Sequence, residues 1–197
     1  MVVTLCTAMA LLCASVAARA APGQDGGDRG DSRHSGGAGV RGAGRTGGWH
    51  GPVVTHPGQP EIDYPRGEVC PFATHAEFPV VDMVQRTWTN DAGDPVYAVI
   101  SGPLVMDVTN KETGKTIRRD LSGTGTLVYP EPGSDTHVLS GGDWGVGLHT
   151  SDRPEHNKWL VSRGFMAVRI KEGPHGTSRE LLVLEGPYED LCKTLAR

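Results

Sequence analysis

The residues Gly114, Lys115 and Thr116 have the chemistry to bind a phosphate, because the phosphate-binding loop of nucleotide hydrolases ends on these three residue types. That loop also needs a first glycine five residues before Gly114, where this chain has Thr109. It needs a helix after the threonine, but the segment that follows is rich in β-branched residues and glycine. The sequence therefore predicts a hairpin turn at this position, and no nucleotide is expected as a ligand.

Three polar residues, His149, Asp152 and His156, lie together in one loop and belong to residue types that bind zinc or hard divalent cations. A metal site needs ligands that meet at one point, and a polar loop has no helical or strand geometry to fix these side chains. The sequence therefore favours a solvated loop, with a metal site at these residues as the weaker alternative. Neither a metal ion nor another cofactor is expected.

Two carboxylates, Asp82 and Asp107, lie inside apolar segments that have the composition of strands. If both side chains point into the lumen of a barrel, they would line a polar pocket with perturbed pKa values. The alternative is that both face solvent on alternating strands, with arginines such as Arg118 as their partners. The folded region contains no Gly-x-Ser-x-Gly nucleophile elbow, and no catalytic set of residues is recognisable.

The cysteines indicate where the protein works. Cys6 and Cys13 lie in residues 1–20, an apolar run that ends in the Ala-x-Ala pattern of a signal-peptide cleavage site. We therefore expect a cleaved signal peptide and secretion, with membrane contact only through an uncleaved signal segment. Cys70 and Cys192 remain after cleavage, and export favours a disulfide bond between them over two buried thiols.

Residues 21–64 are dominated by glycine, with interspersed aspartate and arginine and few large apolar side chains. This composition predicts a disordered linker, so residues 65–197 are predicted to be the folded domain. Trp49 has a large apolar surface to bury, and we expect it to dock on that domain. The formal net charge of −4 argues against nucleic acid as a partner.

From residue 65 onward, short apolar runs alternate with glycine, proline, asparagine and aspartate, which is typical of consecutive strands. The predicted strands are residues 80–88, 96–100, 104–109, 115–121, 124–129, 136–140, 144–149, 158–170 and 180–185. Short connections such as 101–103 and 141–143 are predicted to join antiparallel neighbours. The expected fold is all-β, an antiparallel meander barrel of about eight to nine strands, with a two-layer β-sandwich as the alternative.

Two further segments add detail to this prediction. Gly145 and Gly147 alternate with apolar residues, which indicates a sharp bend or the close approach of another backbone. The C-terminal segment 186–197 predicts a short helix that begins at Pro187. We expect this helix to lie on the barrel, where the disulfide bond would hold it to Cys70.

The segments VTNKETGKTIRRDLSGTGTLV and GPYEDLCKTLA resemble segments of uncharacterised secreted proteins from high-GC Gram-positive bacteria. The shared features are a Thr-Asn…Thr-Gly-Lys turn, a Ser-Gly-x-Gly strand junction and a terminal cysteine before Leu-Ala, and the resemblance covers residues 70–196. It implies a secreted β-barrel and no particular activity. At the level of fold alone, the expected barrel is similar to allene oxide cyclase and dirigent proteins.

These observations leave three hypotheses for function. The first is a secreted, non-catalytic binding protein for a small apolar molecule or a cell-surface component. The second is a cyclase or isomerase whose barrel lumen holds a reactive substrate between polar groups. The third is an inhibitor or interaction protein that uses the loop at residues 149–158. In each case the partner is an unidentified ligand or extracellular partner.

Overall fold

The computed structural model describes residues 48–174 and 176–197. The predicted signal peptide and most of the predicted linker lie outside these residues. The C-terminal part of that linker is folded, since it contains strands β1 (His50–Thr55) and β2 (Ile62–Tyr64). The prediction of a disordered segment that extends to residue 64 is therefore wrong for the described part of the linker.

The described residues contain fourteen strands and one helix. After β1 and β2, these are β3 (Thr74–Val81), β4 (Val84–Thr89), β5 (Pro95–Gly102), β6 (Leu104–Asn110), β7 (Thr116–Asp120), β8 (Gly123–Val128), β9 (Thr136–Gly141), β10 (Gly145–Leu148), β11 (Lys158–Ser162), β12 (Phe165–Lys171), β13 (Ser178–Glu185), β14 (Tyr188–Asp190) and α1 (Leu191–Ala196). Seven of the nine predicted strands each match one observed strand, whereas predicted strand 80–88 covers the end of β3 and most of β4, and predicted strand 158–170 is divided into β11 and β12. The all-β class and the short C-terminal helix are confirmed.

The strands form three antiparallel sheets. The seven-stranded sheet has the order β1-β4-β5-β8-β9-β12-β13, the four-stranded sheet has the order β2-β3-β6-β7, and the three-stranded sheet has the order β10-β11-β14. Within residues 48–174 and 176–197, none of these sheets closes on itself. The prediction of a barrel is therefore wrong, and the layered arrangement fits the sandwich alternative.

Sharp corners explain why the chain forms separate sheets. Strand β5 belongs to the seven-stranded sheet and continues, after a corner at Gly102 and Pro103, as β6 of the four-stranded sheet. Gly102 has a φ of 136°, and a Cβ atom there would lie 2.2 Å from the carbonyl oxygen of Asp82, which lies between β3 and β4. Only glycine fits this position. Residues 101–103 are thus a corner within one bent strand, and the prediction that they join antiparallel neighbours is wrong.

The same device recurs along the chain. Strands β3 and β4, β7 and β8, β9 and β10, β11 and β12, and β13 and β14 are also consecutive pairs that pass from one sheet to another. The predicted turn at residues 141–143 belongs to one of these corners. The result is six bent strands arranged as two three-stranded ribbons, which pair through β8 and β9 in the seven-stranded sheet.

The three-stranded sheet lies between the other two and is buried on both faces. On one face, Trp159 and Val161 of β11 pack in a cluster with Val108 of the four-stranded sheet and with α1. On the opposite face, Leu160 packs with Val168 of the seven-stranded sheet. This alternation along β11 follows the two-residue period of a strand. The described core is therefore filled by side chains between the layers.

Glycine on β10 makes room for an aromatic ring. A Cβ atom on Gly147 would lie 2.7 Å from the hydroxyl oxygen of Tyr64. The alternation of Gly145 and Gly147 predicts a sharp bend or the close approach of another backbone, and for Gly147 this prediction is wrong. The approaching group at Gly147 is a side chain rather than another backbone.

A disulfide bond joins Cys70 and Cys192, as predicted, with a Cα–Cα distance of 5.2 Å. The helix α1 that carries Cys192 begins later than predicted, because the side chain of Asp190 accepts a hydrogen bond from the backbone N–H of Cys192 and caps the helix. Residues 188–190 instead form β14, which pairs with β11. The predicted helix start at Pro187 is therefore wrong.

Candidate functional site

The segment with Gly114 and Lys115 is the predicted hairpin turn between β6 and β7. The backbone N–H of Gly114 donates to the carbonyl of Asn110 at 2.8 Å, and Gly114 has a φ of 73°. The Lys115 ammonium group donates to the carbonyl of Thr194 at 2.7 Å, and the Asn110 amide donates to the carbonyl of Leu195 at 3.3 Å. The turn therefore satisfies carbonyl groups at the C-terminal end of α1, where a cation is favourable.

The structure does not bring Asp82 and Asp107 together. The backbone N–H of Asp82 donates to the carbonyl of Pro103 at a corner. Asp107 lies on β6, four residues after Pro103, and four residues of a strand span about 13 Å. The exposed Asp82 lines an open surface depression of about 360 Å³. Asp107 accepts hydrogen bonds from Arg118 Nε at 2.7 Å and Arg118 Nη2 at 2.5 Å. These bonds hold the pKa of Asp107 below its usual value.

Asp152 ties its loop to the body of the protein. Its carboxylate is 1% exposed and accepts hydrogen bonds from the backbone N–H of His149 at 2.6 Å and the backbone N–H of Arg179 at 2.8 Å. His156 is exposed on the same loop. In residues 48–174 and 176–197, no group of three His, Cys, Asp or Glu side chains could hold a metal ion. His149 and Asp152 are thus neighbours, but the contact that joins them is a structural one.

The imidazole of His149 lies in a partly buried polar cluster. Its Nδ1 atom is 3.2 Å from Nη1 of Arg179, and its ring contacts the ring of Tyr64 edge-on with 5.3 Å between centroids. The carboxylate of Glu68 is 3.9 Å from its Nε2 atom. Burial lowers the pKa of His149, and the charge of Arg179 lowers it further. Both effects favour the neutral form of the imidazole.

The loop that contains these residues is anchored at both ends. The Thr150 hydroxyl and the Asn157 side-chain amide both donate to the carbonyls of Gly67 and Glu68, at distances from 2.8 to 3.2 Å. This anchor segment leads directly into the disulfide-bonded Cys70. These bonds and those of Asp152 tie the loop to the rest of the domain, while its tip is exposed.

An aromatic group lies on the outer face of the seven-stranded sheet, and it includes Trp49, which has the highest exposed fraction among the large apolar side chains in the described part of the chain. Trp88 of β4 and Tyr97 of β5 are directly opposite each other, with ring centroids 5.6 Å apart. Trp49, just before β1, stacks on Tyr97 at 5.8 Å with 22° between the ring planes. Trp49 is 62% exposed. We call Trp49, Trp88 and Tyr97 the aromatic platform.

Strand alternation places the aromatic platform on the outer face. The next residues on β5 and β8, Ala98 and Leu127, are buried against the interior, so Tyr97 and its partner Val128 point away from it. Val128 is 41% exposed and extends the apolar surface beside Tyr97. Among the described residues, neither buried cluster includes a member of the aromatic platform.

Polar side chains surround the aromatic platform. At one side, His50 Nε2 and Asp91 Oδ1 are 2.7 Å apart. On the same outer face, the exposed Arg86 lies two residues before Trp88 on β4. Thr126 lies two residues before Val128 on β8, and its hydroxyl group is 2.8 Å from that of Ser140. The surface therefore combines flat apolar rings with hydrogen-bonding groups of both charges, which is a composition suited to binding.

Sequence reasoning missed the aromatic platform, although one signal for it was present. Trp88 and Tyr97 flank a short turn at residues 90–94, in which the N–H of Asn90 donates to the carbonyl of Asp94 at 2.9 Å. A turn of this kind fixes the register of a hairpin and so places the two rings opposite each other. The expectation that Trp49 docks on the domain is confirmed.

Comparison with known proteins finds no matching family model, no matching curated protein and no matching solved structure. The resemblance to secreted bacterial proteins stays a prediction. Within residues 48–174 and 176–197, no helix has the length and apolar character needed to cross a membrane.

Proposed function

We propose that this protein is a secreted, non-catalytic binding protein, and that the aromatic platform attaches it to a component of a bacterial cell surface. The observation that carries this proposal is the exposure of stacked aromatic rings on an open sheet face. Large apolar side chains are costly to expose in a group, and tryptophan and tyrosine dominate the energetics of binding surfaces. The aromatic platform thus has the residue types and the exposure of a binding site.

Other features favour binding at this surface over binding of a small apolar molecule and over a cyclase or isomerase activity. A small apolar ligand and a cyclase substrate both require an interior space, whereas the described core is filled between the layers. Asp82 and Asp107 lie apart, and both carboxylate oxygens of Asp107 accept hydrogen bonds from Arg118. The apolar run with a cleavage pattern and the Cys70–Cys192 disulfide bond support the proposed location outside the cell.

Co-sedimentation with cell envelopes tests the proposal. Mature protein, residues 21–197, is mixed with envelopes of a high-GC Gram-positive bacterium, and the bound fraction is measured against protein concentration. Trp49→Ala should weaken binding at least about tenfold, the loss expected for a residue that dominates an interface. Trp49 is the best position for the substitution because it precedes β1 and contributes little to the core.

Phe165→Ala is the matched control. Phe165 is a 45% exposed aromatic residue at the start of β12, outside the aromatic platform. Its removal should leave the binding curve unchanged. Equal envelope binding by the wild-type protein and Trp49→Ala would refute the aromatic platform as the attachment site.

The anchored loop at residues 149–157 supports a second candidate, an inhibitor or interaction protein. A loop held by Asp152, Thr150 and Asn157 loses little conformational entropy when it binds, which favours affinity. Titration of subtilisin with the mature protein tests the inhibitor form of this hypothesis. A stoichiometric loss of protease activity would support it, and full activity at excess protein would remove it.

A further inference from the structure

Resting on the proposed function, we infer that the ligand of the aromatic platform is a neutral polysaccharide with free vicinal hydroxyl groups, whose sugar rings stack on Trp49 and Tyr97. The cell-surface component could in principle be a protein, a lipid or a glycan. The geometry of the rings, their exposed area and their polar surroundings favour the glycan.

The geometry of the rings matches a flat ligand. The planes of Trp49 and Tyr97 differ by 22°, with 5.8 Å between centroids, so the two rings present neighbouring and nearly parallel surfaces. The face of an aromatic ring carries negative electrostatic potential. The C–H groups on one face of a pyranose ring are weakly positive and apolar, so a sugar ring can lie flat on this surface.

The exposed area is small for a protein partner. An aromatic side chain offers roughly 150–250 Å² of surface, and Trp49 is 62% exposed while the other two rings are partly buried, so the aromatic platform exposes at most about 300 Å². A stable protein–protein interface buries about 800 Å² on each partner. The apolar surface therefore fits a few sugar units better than a folded protein.

The polar surroundings match a hydroxyl-rich, uncharged ligand. Asp91 and Arg86 place one carboxylate and one guanidinium group near the rings. The guanidinium group can bind two neighbouring hydroxyl groups in a bidentate manner, and the Asp91 carboxylate, which also contacts His50, can accept a further hydrogen bond. The hydroxyl groups of Thr126 and Ser140 add donors and acceptors on the same face. Because charges of both signs are present, neither a polyanion nor a polycation is selected.

Residues 21–47 of this protein and a second copy of the chain are alternative occupants of the aromatic platform. Both fit it less well than a polysaccharide. Residues 21–47 contain one large apolar side chain, Val40, and so cannot cover three aromatic rings. A second copy could extend the seven-stranded sheet by pairing with β1, which is an edge strand. Pro52 lies within β1 and lacks the N–H group that such pairing needs, which is a common protection of edge strands.

Chemical treatment of the envelopes tests this inference. Periodate cleaves the vicinal diols of sugars, and protease removes surface proteins, so each treatment deletes one class of ligand before co-sedimentation with mature protein. We expect binding to fall at least tenfold after periodate and to persist after protease. Trp49→Phe, which keeps an aromatic ring, should bind untreated envelopes within a few fold of the wild-type protein.

The outcomes separate this inference from the proposed function. Binding that survives periodate, or that is lost after protease, overturns the polysaccharide. The proposed function stands in that case if Trp49→Ala still weakens binding to untreated envelopes. If Trp49→Ala and the wild-type protein bind untreated envelopes equally, the inference and the proposed function both fail.

Discussion

The replacement of Asp152 by asparagine should destabilise the protein strongly, although the two side chains have the same shape. Asp152 is buried, and its carboxylate accepts hydrogen bonds from the backbone N–H groups of His149 and Arg179 at 2.6 and 2.8 Å. Asparagine keeps one acceptor oxygen and turns an NH₂ group toward the other N–H, so one charge-assisted bond is lost and two donors face each other. A hydrogen bond to a charged group contributes about 1.5–3 kcal/mol, so we expect a loss of about 2–3 kcal/mol in the free energy of unfolding.

Thermal and urea unfolding measure this change. A domain of this size loses about 2–4 °C in Tm per kcal/mol, so Asp152→Asn should melt about 5–10 °C below the wild-type protein. Asp135→Asn is the matched control, because Asp135 is exposed and the same chemical change occurs there in solvent. Equal Tm values for Asp152→Asn and Asp135→Asn would contradict the role of the Asp152 carboxylate.

Three further predictions concern the contacts that hold the sheets and the helix. Lys115→Met removes the hydrogen bond to the Thr194 carbonyl and should lower the free energy of unfolding by about 1 kcal/mol in urea titrations. Lys111 is more exposed, so Lys111→Met should lower it less. Equal losses in the two variants would contradict the capping role of Lys115. Reduction of the Cys70–Cys192 bond, which spans 122 residues, should lower stability by up to about 5 kcal/mol, and an unchanged Tm in dithiothreitol would contradict this. Burial lowers the pKa of His137 and of His149 in the folded protein. As the pH falls through about 6.5, these histidines therefore bind protons more readily in the unfolded chain than in the folded chain. The free energy of unfolding should therefore fall between pH 7.5 and pH 5, and less so in His149→Gln; the same pH dependence in that variant would show that His149 is not responsible.

The class of the fold could be read from the sequence because strand alternation is a local property. The topology could not, because a Gly-Pro pair serves equally well in a turn and in a corner. Gly102 and Pro103 let one strand change sheets, and the close contact with Asp82 that demands glycine involves a residue 20 positions away. No pattern within residues 101–103 distinguishes the two cases, so a barrel of separate strands was predicted where bent strands form layers.

The predicted boundaries of the folded domain and of the C-terminal helix are wrong where a strand pairs with residues that are distant in sequence. Strand β1 contains Gly51 and Pro52, which disfavour a strand locally, and it forms because residues 53–55 pair with residues 85–87 of β4. Likewise, residues 188–190 have the pattern of a first helical turn but pair with β11 instead. In both cases tertiary hydrogen bonds outweigh the local preference.

The candidate site was missed for a similar reason. Titratable residues are the candidates that the sequence offers, and those at His149, Asp152 and Asp107 form structural hydrogen bonds. No sequence motif marks the aromatic platform, because Trp49 lies outside the predicted domain. It contacts Tyr97 only because β1 pairs with β4. Docking of Trp49 was expected from its size, but its position above Tyr97 depends on the register of three strands.

The indole N–H signals of the four tryptophans test the proposed attachment site most directly. Two-dimensional ¹H–¹⁵N spectra are recorded while soluble fragments of envelope polysaccharide are added to mature protein. The signals of Trp49 and Trp88 should shift in a saturable manner, while those of the buried Trp159 and of Trp144, whose indole donates to the Met166 carbonyl, should stay in place. Shifts confined to Trp144 and Trp159, or no saturable shift of Trp49, would contradict binding at the aromatic platform.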